Sequence, residues 1–221
     1  MKTKYSFGRV ESPPDKRDHL MSLVVPGIEE LPLHDKHWPC KIVLDQTPYP
    51  ECVGFSWAHW GDCAPVEQKW TNAMGRSIYR ECKKIDGSPQ QEGSTIRAGA
   101  AVMLRRDRIQ RYFWADSVDE ALRYVGAKGP VVFGSRWTEG MCNPSAITHT
   151  IKATGATLGG HAFLVCGVQW ERNRARIHQS WGNKWGDNGE CWISIPDLRE
   201  VYKDGGEACA ATERPIGGLS A

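Results

Sequence analysis

The stretch from 44 to 58 constrains the fold of this chain most strongly. It reads Leu-Asp-Gln-Thr-Pro-Tyr-Pro-Glu-Cys-Val-Gly-Phe-Ser-Trp-Ala, so a turn-rich segment that carries Gln46 leads into Cys52 and then into an apolar run. The apolar spacing predicts a helix that begins at Cys52. Free N–H groups and partial positive charge at a helix N-terminus favour a thiolate over a thiol. The alternative is that Cys52 is an ordinary buried cysteine, which is the commonest fate of a free thiol.

Two later segments carry the polar residues that a reactive cysteine needs. Residues 158–168 place His161 at the head of a short apolar run, which is typical of a buried strand. Residues 177–190 contain Gln-Ser-Trp-Gly from Gln179 and, shortly after it, Trp-Gly-Asp-Asn-Gly. A thiol nucleophile requires a base and a group that orients the base. Cys52, His161 and Gln179 supply these three parts if the fold brings them together.

The three blocks resemble those of papain-like (C1-type) cysteine peptidases, in the form seen in bacteria and their phages. In that family a glutamine stands six positions before the nucleophile, as Gln46 stands before Cys52. The histidine lies in a Gly/Asp-His-Ala-aliphatic strand, as His161 does, and the Asn-Ser-Trp-Gly block corresponds to the one that begins at Gln179. The resemblance covers roughly residues 42 to 213.

The resemblance implies an α+β, two-lobed fold, with a helical lobe followed by an antiparallel β lobe and the active site in the cleft between them. It implies hydrolysis of a peptide or isopeptide amide through a thioester on Cys52, with His161 as base and then acid. Gln179 would hold the imidazole. The side chain of Gln46 and the backbone N–H of Cys52 would form the oxyanion hole. No metal or organic cofactor is implied, and the expected partner is a peptide or protein substrate.

Several residues depart from the family pattern. Val53 follows the nucleophile where plant-type members have an aromatic residue, which resembles the prokaryotic branch. Glu51 precedes it, and a neighbouring carboxylate raises the pKa of a thiol. Gln179 stands where the family has asparagine. Its side-chain oxygen can accept the same hydrogen bond from the imidazole N–H, but its extra methylene adds a torsion angle that must be immobilised. The intervals from Cys52 to His161 and Gln179 are shorter than in plant-type members, which indicates trimmed loops.

Each assignment has an alternative. His161 could be a core histidine, and Gln46 a plain turn residue. His149 and His178 are rival bases, but strand alternation points His178 and Gln179 to opposite faces, so only one of the two can face the cleft. At the level of function, an inactive papain-like domain used as a structural or binding module competes with the peptidase. A transglutaminase-like or deamidating enzyme is a further possibility.

Composition excludes other classes of protein. Over 221 residues, 24% are charged and the net charge is +2, so no basic field indicates a nucleic-acid partner. No apolar run reaches the roughly 18 residues of a membrane span, and the N-terminal residues lack a signal-peptide core. We therefore expect no membrane association and a cytoplasmic or virion-associated location. The eight cysteines form no Cys-x-x-Cys pair, so we expect reduced thiols and no structural zinc.

The chain order predicts the layout of the domain. Residues 1–41 are charged and rich in proline, so we expect an extended arm that packs passively on a domain spanning 42–221. The alternative is that this arm obstructs the cleft. Helices are expected after Cys52, over 73–84, after a cap at Ser94 or Thr95, and after Ser117; these make a helical lobe of about 42–128. Strands near 130–135, 161–168, 175–179, 191–195 and 208–212, with a short helix at 197–202, make a β lobe of about 129–213.

Overall fold

The structure is a computed structural model that describes residues 5–213. Its strands, in chain order, are β1 (Arg9–Val10), β2 (Lys36–His37), β3 (Ser94–Thr95), β4 (Ile109–Trp114), β5 (Val131–Thr138), β6 (Thr150–Ile151), β7 (Thr157–Gln169), β8 (Arg174–His178), β9 (Glu190–Ser194) and β10 (Glu207–Glu213). Its helices are α1 (Met21–Val24), α2 (Cys52–Asp62), α3 (Asn72–Cys82), α4 (Ile96–Arg105), α5 (Val118–Ala127) and α6 (Ile195–Tyr202).

Strand β7 runs through the middle of an eight-stranded sheet. Neighbours follow the order β4-β10-β5-β7-β8-β9-β6, and β2 pairs with β7 off this path. All of these pairs are antiparallel except β6 with β9. Strands β1 and β3 form a separate parallel pair. Helices and a largely antiparallel sheet confirm the α+β prediction.

The predicted helices are present. Sequence analysis did not predict strand β4. It follows the charged run 105–108, and its first residues alternate poorly because only its two ends are buried. Strand β4 pairs with β10 at the edge of the sheet, and α5 packs in the same core cluster as Phe133 and Phe163. Strand β4 and helix α5, which both precede residue 128, therefore pack with the sheet.

Helix α2 is buried along its whole length, from Cys52 to Asp62. It packs against α3, α4 and β7, and it approaches α3 closely at Gly54. A Cβ atom at Gly54 would lie 2.4 Å from the carbonyl oxygen of Gly75, so only glycine allows this approach. The sequence of α2 is apolar on most sides because every side faces protein.

The N-terminal arm is largely extended and is anchored at several points. Met21 and Ile28 are fully buried in the core, and Trp38 donates through Nε1 to the carbonyl oxygen of Val125 at 2.6 Å. The four residues of α1 and a single 3₁₀ turn at Ile28–Glu30 are its helical parts. Within residues 5–213, no helix is long and apolar enough to cross a membrane.

The cap of α4 gives a direct test of the local structure. Thr95 Oγ1 accepts the N–H of Ala98 at 3.1 Å, whereas the hydroxyl of Ser94 donates to Asp86. Replacement of Thr95 by alanine should lower the free energy of unfolding by about 1 kcal/mol, because one buried N–H loses its acceptor. Urea denaturation measures this change. Thr95→Ser should restore most of the stability; an equal loss in the serine variant would contradict the assignment of the cap.

Candidate active site

Cys52 is the first residue of α2, and its side chain is fully buried. Burial raises the pKa of the thiol to about 11, although backbone N–H groups of Ala162, Gly8 and Val53 oppose the shift. The helix N-terminus and these N–H groups favour a thiolate, but the cost of burying a charged sulfur away from solvent outweighs them. In this arrangement Cys52 is a neutral thiol.

His161 and Gln179 are joined by a hydrogen bond in the interior. The Nε2 atom of His161, on β7, lies 2.7 Å from Oε1 of Gln179, which follows the end of β8. An amide oxygen can only accept, so Nε2 carries the proton. The other ring nitrogen, Nδ1, is buried and has no hydrogen-bond partner. The lone pair of Nδ1 is therefore available to take a proton.

Aromatic rings enclose the imidazole. Trp181 stacks on His161 with ring centroids 4.6 Å apart, and Trp137 meets its edge at 5.0 Å. Burial lowers the pKa of His161 to about 4, against the smaller opposing effect of the bond to Gln179. The imidazole is therefore neutral near pH 7, as the thiol is.

Gln46 is held in a fixed orientation from two sides. Its Oε1 atom accepts the hydroxyl of Ser180 at 2.7 Å, and its Nε2 atom donates to the carbonyl oxygen of Tyr49 at 2.8 Å. The same Nε2 atom lies 3.3 Å from the carbonyl oxygen of Ser6 in the arm. The amide N–H₂ group of Gln46 is thus directed at a carbonyl oxygen, which is the kind of atom that an oxyanion-hole donor binds.

A continuous set of contacts joins the four residues singled out in the sequence. The N–H of Ala162, next to His161, faces the sulfur of Cys52. Gln46 is bonded to Ser180, which is next to Gln179. Because α2 packs against β7 and residue 46 against residue 180, segments that are far apart in the sequence meet in one place.

Two residues that raised doubts in the sequence have partners of their own. His178 points to the opposite side of β8 from Gln179, where its Nε2 atom is 3.1 Å from the carbonyl oxygen of Ile42 and its ring meets His59, as strand alternation predicts. Glu51 is paired with Arg76 at 3.4 Å, which offsets the effect of its carboxylate on the neighbouring thiol.

The first described residues of the arm cross this site. Tyr5 stacks on Trp181 with ring centroids 4.1 Å apart, and Phe7 meets the ring of His161 at 5.9 Å. Gly8 lies so close to Pro50 that an added Cβ atom would overlap its carbonyl oxygen. These contacts exclude water from both the sulfur and the imidazole.

The expectation that the arm packs passively, away from the cleft, is wrong. The Gly8 carbonyl oxygen accepts the N–H of Ser94 at 2.8 Å, and β1 continues the pairing with β3. Arg9 pairs with Glu207 at 3.1 Å on the other side, and both side chains are nearly buried. The arm is therefore tied to both walls of the cleft. Sequence analysis did not identify Tyr5 or Phe7, because nothing in a proline-rich segment indicates where it docks.

Comparisons with known proteins identify the fold. No family profile and no curated protein sequence matches the chain. Among solved structures, xylellain, a cysteine protease from Xylella fastidiosa, is similar with a TM-score of 0.77 at 18% identity, covering 97% of this chain and 98% of that one. The chain has the papain-like fold.

Two further solved structures extend the likeness. Procathepsin B S9 from Trypanosoma congolense has a TM-score of 0.68 at 13% identity and covers 94% of this chain and 86% of that one. A digestive procathepsin L2 from Tenebrio molitor has a TM-score of 0.66 at 15% identity and covers 95% and 78% of the two chains. The papain-like, two-lobed fold expected from the sequence is confirmed.

The burial of Cys52 predicts slow, alkaline alkylation of the full-length protein. Iodoacetamide reacts with the thiolate, so its rate at Cys52 should rise with pH towards a midpoint near pH 11. Removal of residues 1–10 hydrates the site and should shift the midpoint to lower pH, with a rate at pH 7 raised at least about tenfold. Peptide mapping by mass spectrometry measures labelling at each cysteine.

Two controls separate local opening from unfolding. The buried thiol of Cys209 should stay unlabelled in the truncated protein. Phe7→Ala, which keeps the backbone of the arm, should raise labelling of Cys52 by a smaller amount. Equal labelling of Cys52 with and without the arm would contradict the protection described here.

Proposed function

We propose that this protein is a papain-like cysteine peptidase that hydrolyses peptide or isopeptide bonds and is latent while its arm occupies the cleft. The observation that carries the proposal is the bond of 2.7 Å between His161 and Gln179, which leaves Nδ1 unprotonated on the strand that also contacts the Cys52 sulfur. A buried imidazole held in this tautomer is what a thiol nucleophile needs as its base.

In the proposed mechanism, His161 Nδ1 takes the proton of Cys52, and the sulfur attacks the carbonyl carbon of the substrate. The amide nitrogen leaves with the proton that His161 returns, and a thioester remains. Water, deprotonated by His161, then hydrolyses the thioester and regenerates the thiol. The amide group of Gln46 and the backbone N–H of Cys52 stabilise the negative oxygen of each tetrahedral intermediate.

Latency follows from the electrostatics of the covered site. A thiolate and an imidazolium are both charged, and burial disfavours each of them, as the raised pKa of Cys52 and the lowered pKa of His161 record. Displacement of residues 5–10 admits water and substrate and removes this penalty. The same step frees the Nε2 atom of Gln46 from the carbonyl oxygen of Ser6.

Finer features of the proposal rest on the sequence. The Cys-Val-Gly-Phe order from Cys52 supports the bacterial or phage branch of these peptidases, with endopeptidase activity and a cytoplasmic or virion-associated location. The second candidate is an inactive papain-like module. The sequence raises it through Glu51 directly before the cysteine and through glutamine in place of asparagine at 179.

Variants of the triad distinguish the two candidates. In protein lacking residues 1–10, Cys52→Ala and His161→Ala should each lower kcat/KM for a fluorogenic peptide at least about 1,000-fold. Gln179→Ala should lower kcat by about 10- to 100-fold, since a buried hydrogen bond of about 1–3 kcal/mol orients the base. Gln179→Asn should preserve or raise turnover. An inactive truncated protein whose Cys52 also fails to react with an epoxide inhibitor would support the inactive module.

The oxyanion hole is tested separately from the triad. Gln46→Ala should lower kcat by about 100- to 1,000-fold while KM changes little, because the donor acts on the charged intermediate. Gln46→Glu keeps the shape but replaces the donor by an acceptor, so it should be at least as impaired. Steady-state kinetics and circular dichroism of the truncated variants measure activity and folding. Full activity of Gln46→Ala would refute the assigned role.

A further inference from the structure

The side chain of Arg9 fills a space in the wall of the candidate active site. Gly160, directly before His161, lies under the backbone of Arg9, since an added Cβ atom there would overlap its carbonyl oxygen. At Gly134 an added Cβ atom would lie 2.9 Å from Nε of Arg9 and 2.6 Å from Cδ1 of Ile96. The lack of a side chain at Gly134 therefore opens the space that the guanidinium group occupies.

A carboxylate closes the end of this space. Glu207 on β10 stands directly opposite Gly134 on β5. The Nε and Nη2 atoms of Arg9 each lie 3.1 Å from Oε1 of Glu207, and Nη2 also donates to the carbonyl oxygen of Gly205. We call the space bounded by Gly134, Gly160, Gly205 and Glu207 the Arg9 pocket. Its polar groups are all acceptors that match the donors of a guanidinium group.

The ion pair in the Arg9 pocket is almost completely enclosed. The side chain of Arg9 is 5% exposed and that of Glu207 is 11% exposed. Burial raises the pKa of the Glu207 carboxyl group, and the charge of Arg9 opposes this shift. A buried carboxylate without a countercharge is strongly destabilising. A positively charged occupant of the pocket therefore relieves a cost that a neutral occupant leaves in place.

The arm supplies the cation that pairs with Glu207. Arg97 also interacts with this carboxylate at longer range, but its guanidinium group donates to both carboxylate oxygens of Asp18. Ser12 donates hydrogen bonds to Glu207 and brings no charge. When the first residues of the arm leave the cleft, Glu207 therefore loses its paired cation, and the Arg9 pocket is left with a buried acid at its end.

A substrate has to take the place that the arm occupies. The carbonyl oxygen of Ser6 lies 3.3 Å from Nε2 of Gln46, and the N–H of Gly8 faces the sulfur of Cys52. Arg9 follows Gly8 in the chain, so its pocket is within reach of side chains close to the cleaved bond. Burial raises the pKa of Cys52, and the charge of Arg9 is among the effects that lower it. A cation in the pocket therefore also favours the reactive thiolate.

We propose that the Arg9 pocket is a substrate subsite that selects an arginine side chain, and that Glu207 determines this specificity. The inference rests on the proposed peptidase function and names its substrate class, which is peptides or proteins with an arginine close to the cleaved bond. Arginine is preferred to lysine because one planar group donates to Glu207 and to the carbonyl oxygen of Gly205 together. The arm and the substrate thus compete for one carboxylate.

A small cation tests the pocket without requiring catalysis. Ethylguanidinium at millimolar concentration should bind in the vacated pocket of full-length Arg9→Ala protein and raise its Tm. Ethylurea, which has nearly the same shape but no charge, should not. In the unaltered protein, whose pocket is full, neither probe should raise Tm. Equal effects of the two probes on the Arg9→Ala protein would overturn the proposal.

Matched acid variants identify the group that binds the cation. In the Arg9→Ala background, Glu207→Gln should weaken binding of ethylguanidinium at least about tenfold, because the paired charge is lost. Glu81→Gln removes a carboxylate that pairs with Arg106 elsewhere, so it should leave binding unchanged. Unchanged binding in the Glu207→Gln variant would also overturn the proposal.

Substrate preference provides the second measurement. Fluorogenic peptides carry one arginine or one citrulline, its neutral analogue, at successive positions on either side of the cleaved bond. The arm competes with every substrate, so the ratio of two kcat/KM values of the full-length protein does not depend on how often the arm opens. At one position we expect arginine to exceed citrulline at least about tenfold. Glu207→Gln should bring this ratio close to one, and Glu81→Gln should preserve it.

The two measurements separate the pocket from the peptidase. Hydrolysis without a preference for arginine would overturn the assignment of the pocket and leave the proposed function standing. Absence of hydrolysis, together with charge-selective binding by the Arg9→Ala protein, would count against the proposed function and support the pocket. If the Arg9→Ala protein does not fold, the ratio of kcat/KM values in the unaltered protein decides the proposal.

Discussion

The packing of α2 along β7 positions the chemistry of this molecule. Cys52, at the start of the helix, meets the backbone beside His161, and Cys63, at its end, is close to Cys166. Eleven helical residues and five strand residues both span about 16 Å, so the two elements remain in step between these points. Alternation along β7 then sends His161 to one face of the sheet and Cys166 to the other. One helix–strand contact thus fixes Cys52 beside the strand that carries His161.

Burial decides the charge state of the site. The bond from His161 to Gln179 and the stack of Trp181 orient the imidazole whether or not it is charged. Removal of water, however, raises the pKa of the thiol and lowers that of the imidazole, so the pair is neutral beneath the arm. The groups needed for catalysis are assembled, but the ionic form that reacts is disfavoured. Because Met21 and Ile28 anchor the rest of the arm in the core, uncovering the site requires only its first residues to move.

Local signals in the sequence sufficed for the elements that carry Cys52, His161 and Gln179. A cysteine before an apolar run, a histidine before a buried strand and strand alternation at residues 178 and 179 each depend on neighbours in the chain. The position of Phe7 against His161 depends instead on the space between two walls that meet only in the folded protein. Strand β4 is an edge strand with weak alternation, which concealed it.

The protonation state of His161 tests the central claim that the arm holds an assembled site in its neutral form. Nitrogen-15 NMR of the imidazole distinguishes the neutral tautomer with the proton on Nε2 from the imidazolium. In the full-length protein we expect the neutral Nε2–H tautomer at pH 7 and titration near pH 4. In protein without residues 1–10 we expect an imidazolium at pH 7 that becomes neutral when Cys52 is replaced by alanine. An imidazole that is charged in the full-length protein, or that titrates identically with and without the arm, would contradict the account.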